Sequence, residues 1–178
     1  EITETGLRTS EGEFELDEII FATGLDAMTG EILEMDVRTS DGLAMKDKWQ
    51  DGPLTYLGIM VSGFPNMFVI TGPGSPGVKS QMILSIEQHT DWITDCIANM
   101  REKGLSMAEA QSDAEAKWVQ HVNEVADTTL YPQANSWYVG ANIPGKPRVF
   151  MPYVGGVEAY KKICDGVVAK GYEGIDLT

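Results

Sequence analysis

A glycine-rich turn at residues 72–77, with the sequence Gly-Pro-Gly-Ser-Pro-Gly, is the segment best suited to hold a ligand. An apolar run at residues 67–71 comes before it, and apolar residues recur at helical spacing after it. The start of a helix attracts negative charge, because its free N–H groups and its dipole point there. The letters of the turn match G-x-G-x-x-G, but we do not interpret it as the dinucleotide-binding fingerprint, and no Walker lysine pattern follows it. It therefore predicts either a nucleotide-like ligand site or a structural connection between a strand and a helix.

A second candidate is the loop at residues 135–148, which combines aromatic, amide and basic side chains with bends imposed by Pro and Gly. Trp137 offers an indole N–H, and Lys146 and Arg148 offer positive charge, so the loop can fold over a ligand. The alternative is a surface loop held in place by Trp137 in the core. Both interpretations predict irregular structure, because residues 131–152 contain four prolines.

The histidines and cysteines form no metal-binding or nucleophilic pattern. His89 and His121 lie on amphipathic helices beside acidic residues, where a structural or surface role is the simpler interpretation. Neither belongs to an i, i+4 histidine pair or to a triad arrangement. Cys96 and Cys164 are far apart and outside any C-x-x-C motif, so we expect free buried thiols. No metal site is predicted.

Periodicity and turn signals predict the elements of the amino-terminal half. Residues 7–16 form a predicted hairpin with its turn at residues 11–12. Residues 17–22 form a predicted buried strand that leads into Ala-Thr-Gly, and a second buried strand is predicted at residues 67–71. Between these strands we expect mostly turns, with one short helix around residues 43–49.

Three longer helices are predicted in the second half. The first starts with Ser75 as N-cap, followed by proline, and stops at Gly104. The second starts at Ser112, with Glu115 completing a capping box. The third spans residues 157–170. A strand, a glycine-rich turn and a long helix in succession make up half of a nucleotide-binding unit, which indicates an α/β fold.

Composition narrows the class of partner. The 178 residues carry 13 basic and 27 acidic side chains, a formal net charge of −14. This charge argues against binding to nucleic acid or to anionic lipid, because both need clustered Lys and Arg. No apolar run approaches the ~20 residues of a membrane span. The sequence also starts without methionine or signal peptide. We therefore expect a cytoplasmic protein, present here as a fragment, with no nucleic-acid or membrane partner.

Taken together and in order, these motifs resemble the Baeyer–Villiger flavin monooxygenases, particularly the phenylacetone, cyclohexanone and steroid branch. The resemblance extends over nearly the whole chain, and the segment at 135–148 is its most specific part. The matching segments are residues 21–26 (Phe-Ala-Thr-Gly-Leu-Asp), 64–66 (Phe-Pro-Asn), 72–76 (Gly-Pro-Gly-Ser-Pro), 85–89 (Ser-Ile-Glu-Gln-His), 121–124 (His-Val-Asn-Glu), 135–148 and 149–156 (Val-Phe-Met-Pro-Tyr-Val-Gly-Gly).

The resemblance implies a fold, a domain division and an activity. Residues 1–24 would be the tail of the NADPH-binding domain. Residues 25–178 would be the returning C-terminal part of a Rossmann-like FAD-binding domain, with a mobile loop at 135–148. Such enzymes use FAD, NADPH and O2 to insert one oxygen atom beside a ketone carbonyl, which gives an ester or a lactone. Their two glycine fingerprints and their catalytic arginine do not occur in these residues. We therefore expect no catalytic residue here and no activity from the chain without the missing N-terminal part.

The resemblance also implies where ligands bind. It places the flavin ring against residues 72–82, and it implies cofactor contacts at Thr23, Gly24, Asp26, Gly72, Gly74, Ser75, Met82 and Trp137. It implies a substrate pocket at Gly77, Val78 and Lys79. Trp137 would reach NADP from the mobile loop and help to close the site.

Three positions depart from the family pattern, and two other functions stay open. Lys79 replaces an apolar residue, Leu25 replaces an aromatic one, and Gln81 replaces asparagine. These departures leave the substrate undetermined. One alternative is a flavin or nicotinamide reductase without oxygen insertion, although the chain lacks a redox C-x-x-C. The other is a non-catalytic module that folds, and oligomerises, without a cofactor.

Overall fold

The computed structural model describes residues 1–22, 24–77 and 80–178, which form four short β-strands and five α-helices. The strands are β1 (Gly6–Arg8), β2 (Glu13–Glu15), β3 (Ala108–Ala110) and β4 (Ile175–Leu177). The helices are α1 (Gly30–Glu34), α2 (Met45–Lys48), α3 (Met82–Lys103), α4 (Ser112–Asp127) and α5 (Val157–Ala169). The 3-10 turns Tyr131–Gln133 and Trp137–Val139 lie between α4 and α5. In the described residues the strands form two antiparallel pairs, β1–β2 and β3–β4. The α/β class is confirmed, whereas its Rossmann-like character stays a prediction.

The amino-terminal hairpin is confirmed. Leu7 lies opposite Phe14 in the antiparallel pair. The Thr9 N–H donates to the Gly12 carbonyl at 2.8 Å and closes the turn where the sequence predicted it. The acidic side chains of β2 are exposed, as expected for a solvated face.

The predicted buried strand at residues 17–22 is wrong. This segment has no regular structure, and Ile20 and Phe21 are 85% and 70% exposed. A strand needs a neighbour for its N–H and C=O groups, and in the described part of the chain no strand lies beside this segment. The apolar character of residues 17–22 predicted burial, but the described residues contain no neighbour that covers them.

The predicted strand at residues 67–71 does not form as a strand, and the segment contributes one isolated β-bridge. Phe68 pairs with Met60, and the Val69 N–H donates to the Ile59 carbonyl at 2.7 Å. Pairing ends there because the backbone of Thr71 turns into the left-handed region, with φ 53°. Val69 is nevertheless buried, as the apolar pattern predicted.

The main core lies where α3, α4 and α5 meet the β3–β4 pair. Its largest members are the aromatic residues Tyr56, Trp92, Trp118, Tyr153, Tyr160 and Tyr172. β3 and β4 were not predicted, because Ala-Glu-Ala and Ile-Asp-Leu are too short to show a strand pattern. In the described ranges, no helix is both long and apolar enough to cross a membrane.

The predicted start of α3 is six residues too early. Its N-cap is Gln81, and Ser75 is instead held in a turn, where its hydroxyl donates to the Gly72 carbonyl at 2.7 Å. The Ser75 carbonyl also accepts the Tyr153 N–H at 2.8 Å, which commits this segment to pairing with a distant chain segment. The predicted stop is confirmed, since Gly104 adopts the left-handed conformation with φ 67°.

The second helix begins at the predicted residue and the third nearly matches its predicted span, but Glu115 does not complete a capping box. Glu115 is 4% exposed, and its carboxylate contacts the Lys48 ammonium at 2.8 Å. The other carboxylate oxygen accepts the Ser62 N–H, also at 2.8 Å. The side chain therefore fastens α4 to α2 and to the loop before residue 67, a role that only the tertiary fold creates.

Candidate cofactor and substrate site

In the glycine-rich turn at residues 72–77, backbone N–H groups donate hydrogen bonds to carbonyl groups of the protein itself. The Gly72 N–H donates to the Gly58 carbonyl at 3.1 Å, and the Gly74 N–H donates to the Met151 carbonyl at 2.6 Å. The Ser75 N–H donates back to the Gly72 carbonyl at 3.1 Å. The two prolines of the turn have no N–H. These predicted cofactor residues thus come together, but their N–H groups are not available to a phosphate.

Close packing explains why this turn needs glycine. Gly74 has φ +85°, and a Cβ built on it would lie 2.9 Å from the Trp118 Nε1 atom and 3.2 Å from the Thr55 hydroxyl. The Thr55 hydroxyl donates to the Pro73 carbonyl at 2.6 Å. The turn is therefore a rigid support that joins the residues before α3 to α4 and to the segment around residue 151.

The amino end of α3 presents an apolar surface without acidic residues. Met82 is half-buried, whereas Ile83 and Leu84 are 61% and 52% exposed. The first turn of this 22-residue helix contains no Asp or Glu. A helix dipole makes such an end favourable for negative charge, and the exposed aliphatic side chains suit a flat aromatic group. Such a surface suits a flat group that carries partial negative charge.

A cavity of about 520 Å³ lies between the turn and the segment that follows the loop. Its lining includes Gly77 and Ser80 on one side, and Tyr138, Phe150 and Tyr153 on the other. Burial raises the pKa of Tyr138 and of Tyr153, so both phenols are neutral hydrogen-bond donors at neutral pH. The size and the mainly apolar lining, which includes several aromatic side chains, are those of a small-molecule site.

The loop at 135–148 supplies one side of this cavity. Trp137 is half-buried, and its ring centroid lies 4.1 Å from that of Tyr138. The Tyr138 carbonyl accepts the Met151 N–H at 3.0 Å. The Arg148 guanidinium donates to the Asn135 side chain at 2.9 Å, which closes the loop on itself. The sequence analysis did not single out Tyr138, although its place beside Trp137 was an available signal.

Of the predicted cofactor residues near the start of the chain, Asp26 lies beside this loop. The Asp26 carboxylate contacts the Lys146 ammonium, while Leu25 is 74% exposed. Gly24 adopts φ +81° with nothing within 4 Å of a Cβ built on it. Three further predictions, Thr23, Val78 and Lys79, lie outside the described residues. Gln81, where the sequence departs from the family, is exposed.

His89 is structural, as the sequence analysis predicted. Its Nδ1 atom accepts the Thr71 N–H at 2.9 Å, so the ring proton resides on Nε2. Nε2 lies 2.7 Å from the Tyr160 hydroxyl, which donates to the Leu57 carbonyl at 2.5 Å. Burial lowers the pKa of His89 to about 4, so the ring is neutral at pH 7. This chain of hydrogen bonds connects α3 and α5 to the loops before the glycine-rich turn.

Both cysteines are free and buried, as predicted. Burial raises the pKa of Cys96 and of Cys164 to about 11. A thiol with so high a pKa carries almost no thiolate at neutral pH, so neither residue is a nucleophile.

Two curated relatives match the chain along almost its whole length. Cyclohexanone 1,2-monooxygenase from Acinetobacter sp is 42% identical over 178 residues, which is 99% of this chain and 32% of that protein. A Baeyer–Villiger monooxygenase from Pseudooceanicola batsensis is 44% identical over 173 residues, or 97% of this chain and 31% of that protein. The chain is homologous to part of the Baeyer–Villiger monooxygenases. It spans about a third of the length of these relatives, and no protein-family model matches it.

Solved Baeyer–Villiger monooxygenase structures share the fold. The closed crystal structure of cyclohexanone monooxygenase superposes with a TM-score of 0.96 at 37% identity, covering 100% of this chain and 33% of that one. The structure of OTEMO in complex with FAD and NADP superposes with a TM-score of 0.89 at 33% identity, again covering 100% of this chain and 33% of that one. The resemblance inferred from the motifs is therefore confirmed.

Proposed function

We propose that this chain is part of an FAD- and NADPH-dependent monooxygenase that converts a ketone into an ester or a lactone. The observation that carries the proposal is the similarity to cyclohexanone monooxygenase over the whole chain, with 42% identity to one relative and a TM-score of 0.96 to a solved structure. In the proposed reaction, ketone, O2, NADPH and one proton give the ester, NADP⁺ and water. When bound, FAD would supply the activation of O2.

The domain division expected from the motifs is part of this proposal. Residues 1–24 close the NADPH-binding domain, and residues 25–178 belong to the FAD-binding domain. The exposure of Ile20 and Phe21 supports this division, because a further part of the protein would be needed to cover them. The N-terminal part would supply the two glycine fingerprints and the catalytic arginine that these residues lack.

The amino end of α3 is proposed to face the flavin ring. Met82 stands at the start of this helix, and the helix dipole would stabilise the negative charge of the reduced ring. The hydrogen bonds between the glycine-rich turn and the rest of the protein would hold Met82 in place. Gly72, Gly74 and Ser75 are buried within the chain and their N–H groups are already bonded, so they would support the cofactor site by holding the shape of the turn.

The ketone is proposed to enter the cavity beside Gly77. Val78 and Lys79 belong to the same proposed pocket, and Tyr138 and Tyr153 would bound it on the loop side. Trp137 would extend from the loop toward NADP and help to exclude water. Thr23, Gly24 and Asp26 would lie where the chain crosses from the NADPH domain to the FAD domain.

The test is ketone-dependent NADPH oxidation by the full-length protein, with product analysis. The proposal predicts one ester or lactone formed per NADPH consumed. Oxidation of NADPH that yields only hydrogen peroxide would favour the reductase alternative. No flavin in the purified full-length protein would favour the non-catalytic module. We also expect the 178-residue chain alone to lose added FAD on desalting, because the part that binds the pyrophosphate is missing.

A matched pair of charge variants tests the flavin-facing end of α3. Met82→Glu places a carboxylate where reduced flavin would carry its own negative charge, so we expect the affinity for reduced FAD to fall at least about tenfold relative to that for oxidised FAD. Ile97→Glu adds the same charge to the same helix, four turns away, at a residue that is 37% exposed. Equal affinities for reduced FAD, relative to oxidised FAD, in the two variants would contradict the proposed orientation of the flavin.

A further inference from the structure

The loop at 135–148 is tied to the segment at residues 25–27 by an ion pair. The Lys146 ammonium contacts the Asp26 carboxylate and lies 3.3 Å from the Ala27 carbonyl. The side chain of Lys146 is only 11% exposed, and that of Asp26 is 34% exposed. Most exposed ion pairs contribute little, but a cation this buried is costly to leave without its partner. The position of the loop therefore depends on this contact.

A second bond joins the same two segments. The Asn142 side-chain amide donates to the Leu25 carbonyl at 3.1 Å. Asp26 itself is held by the start of α1, because its carbonyl accepts the Gly30 N–H at 2.9 Å. The segment at 25–27 thus offers a fixed anchor, and the loop attaches to it at two places along its length.

The ion pair is connected to the cavity through the backbone of the loop. The aliphatic stem of Lys146 packs on Gly140, where an added Cβ would lie 3.1 Å from the Lys146 Cδ atom. The Gly140 N–H donates to the Trp137 carbonyl at 3.0 Å. Gly140 directly follows the 3-10 turn Trp137–Val139, which includes the cavity residue Tyr138. The stem of Lys146 therefore packs on the residue that ends the turn carrying Trp137 and Tyr138.

We propose that Lys146 and Asp26 are positioning residues that form a latch, with Asn142 as its second attachment. The latch holds the loop against the segment at 25–27 and keeps Tyr138 at the wall of the cavity. Release of Lys146 to solvent frees the loop and opens the cavity on that side. The consequence for NADPH and ketone rests on the proposed function, whereas the latch itself rests on the contacts alone.

Hydrogen exchange of the full-length protein with FAD bound tests the latch. We expect Asp26→Asn and Lys146→Met each to accelerate amide exchange within residues 135–148 by about tenfold, because each removes one partner of a largely buried ion pair. The double variant should accelerate exchange no further than either single variant. Asp36→Asn is the matched control, since Asp36 pairs with Arg38 on the surface, with 56% and 46% exposed side chains, and should leave the loop unchanged.

Two outcomes would overturn the latch. One is unchanged loop exchange in both single variants, and the other is effects that add in the double variant. If a single variant also accelerates exchange in α3 and α5, its effect is not confined to the loop, and the variant Asn142→Ala, at an exposed residue, is then used instead. Faster exchange confined to the loop in Asn142→Ala supports the latch, and unchanged exchange refutes it. Exchange is measured without substrate, so it does not depend on the reaction. If the proposed function is also correct, the variants raise KM for NADPH more than they lower kcat.

Discussion

A neutral, buried His89 makes the stability of this protein depend on pH in a defined way. Burial lowers the pKa of His89 to about 4, against 6.5 for the free side chain. Below pH 6.5 the unfolded chain therefore binds a proton that the folded chain rejects. The stability that comes from the neutral ring is fully present above pH 6.5 and is lost as the pH falls toward 4.

The magnitude follows from the two pKa values. Each pKa unit corresponds to about 1.4 kcal/mol, so the loss should be about 2 kcal/mol at pH 5 and about 3 kcal/mol at pH 4. The structural cause is specific. A proton on Nδ1 would face the Thr71 N–H, which now donates to that atom at 2.9 Å. Protonation would therefore replace a hydrogen bond with a repulsive contact between two donors.

Hydrogen exchange of α3 and of residues near Thr71, corrected for the intrinsic effect of pH, measures the free energy of opening. The wild-type value should fall by about 2 kcal/mol between pH 7 and pH 5, the range in which most carboxylates stay ionised. His89→Gln should remove most of that slope. His121→Gln is the matched control, because it removes the other of the two histidines and leaves the His89 bonds intact. Equal slopes in the wild type and in His89→Gln would refute the reasoning.

Three further predictions concern packing and burial. Lys48→Met should lower the free energy of unfolding by about 3–5 kcal/mol in urea titrations, because it leaves Glu115 buried without a cation. Lys117→Met, which breaks an exposed pair with Asp113, should leave the free energy of unfolding nearly unchanged. Gly74→Ala should lower the melting temperature more than Gly171→Ala. Both residues have positive φ, but only Gly74 would place a Cβ 2.9 Å from Trp118. Cys96 and Cys164 should resist iodoacetamide at pH 8 until the protein is unfolded, and rapid labelling of the native protein would contradict their burial.

Local signals predicted the elements that depend on local interactions. The hairpin turn at residues 11–12, the stop of α3 at Gly104 and the extent of α5 follow from turn and capping chemistry within a few residues. The structural role of His89 also followed, because an isolated histidine among acidic neighbours suggests neither metal binding nor catalysis. The order of motifs along the chain indicated the resemblance to the Baeyer–Villiger monooxygenases, and the comparisons confirm that resemblance.

Distant partners decided the remaining features, and no local pattern contains them. Ser75 looked like an N-cap, but pairing with Tyr153 draws it into a turn instead. Glu115 looked like part of a capping box, but the Lys48 ammonium on another helix binds it. The apolar run at residues 17–22 predicted a buried strand, yet burial depends on a neighbour that the described residues do not supply.

The glycine-rich turn shows the same division most clearly. Its sequence established a tight bend before a helix, because Gly frees the backbone and Pro restricts it wherever they occur. Only the tertiary structure decided that the N–H groups of Gly72, Gly74 and Ser75 bond to the protein itself. Likewise, the sequence placed Lys146 in a basic loop, and the fold brought it to Asp26, 120 residues earlier in the chain. Contacts of such long range depend on how the whole core packs, so the sequence defined the motifs and the tertiary structure determined their partners.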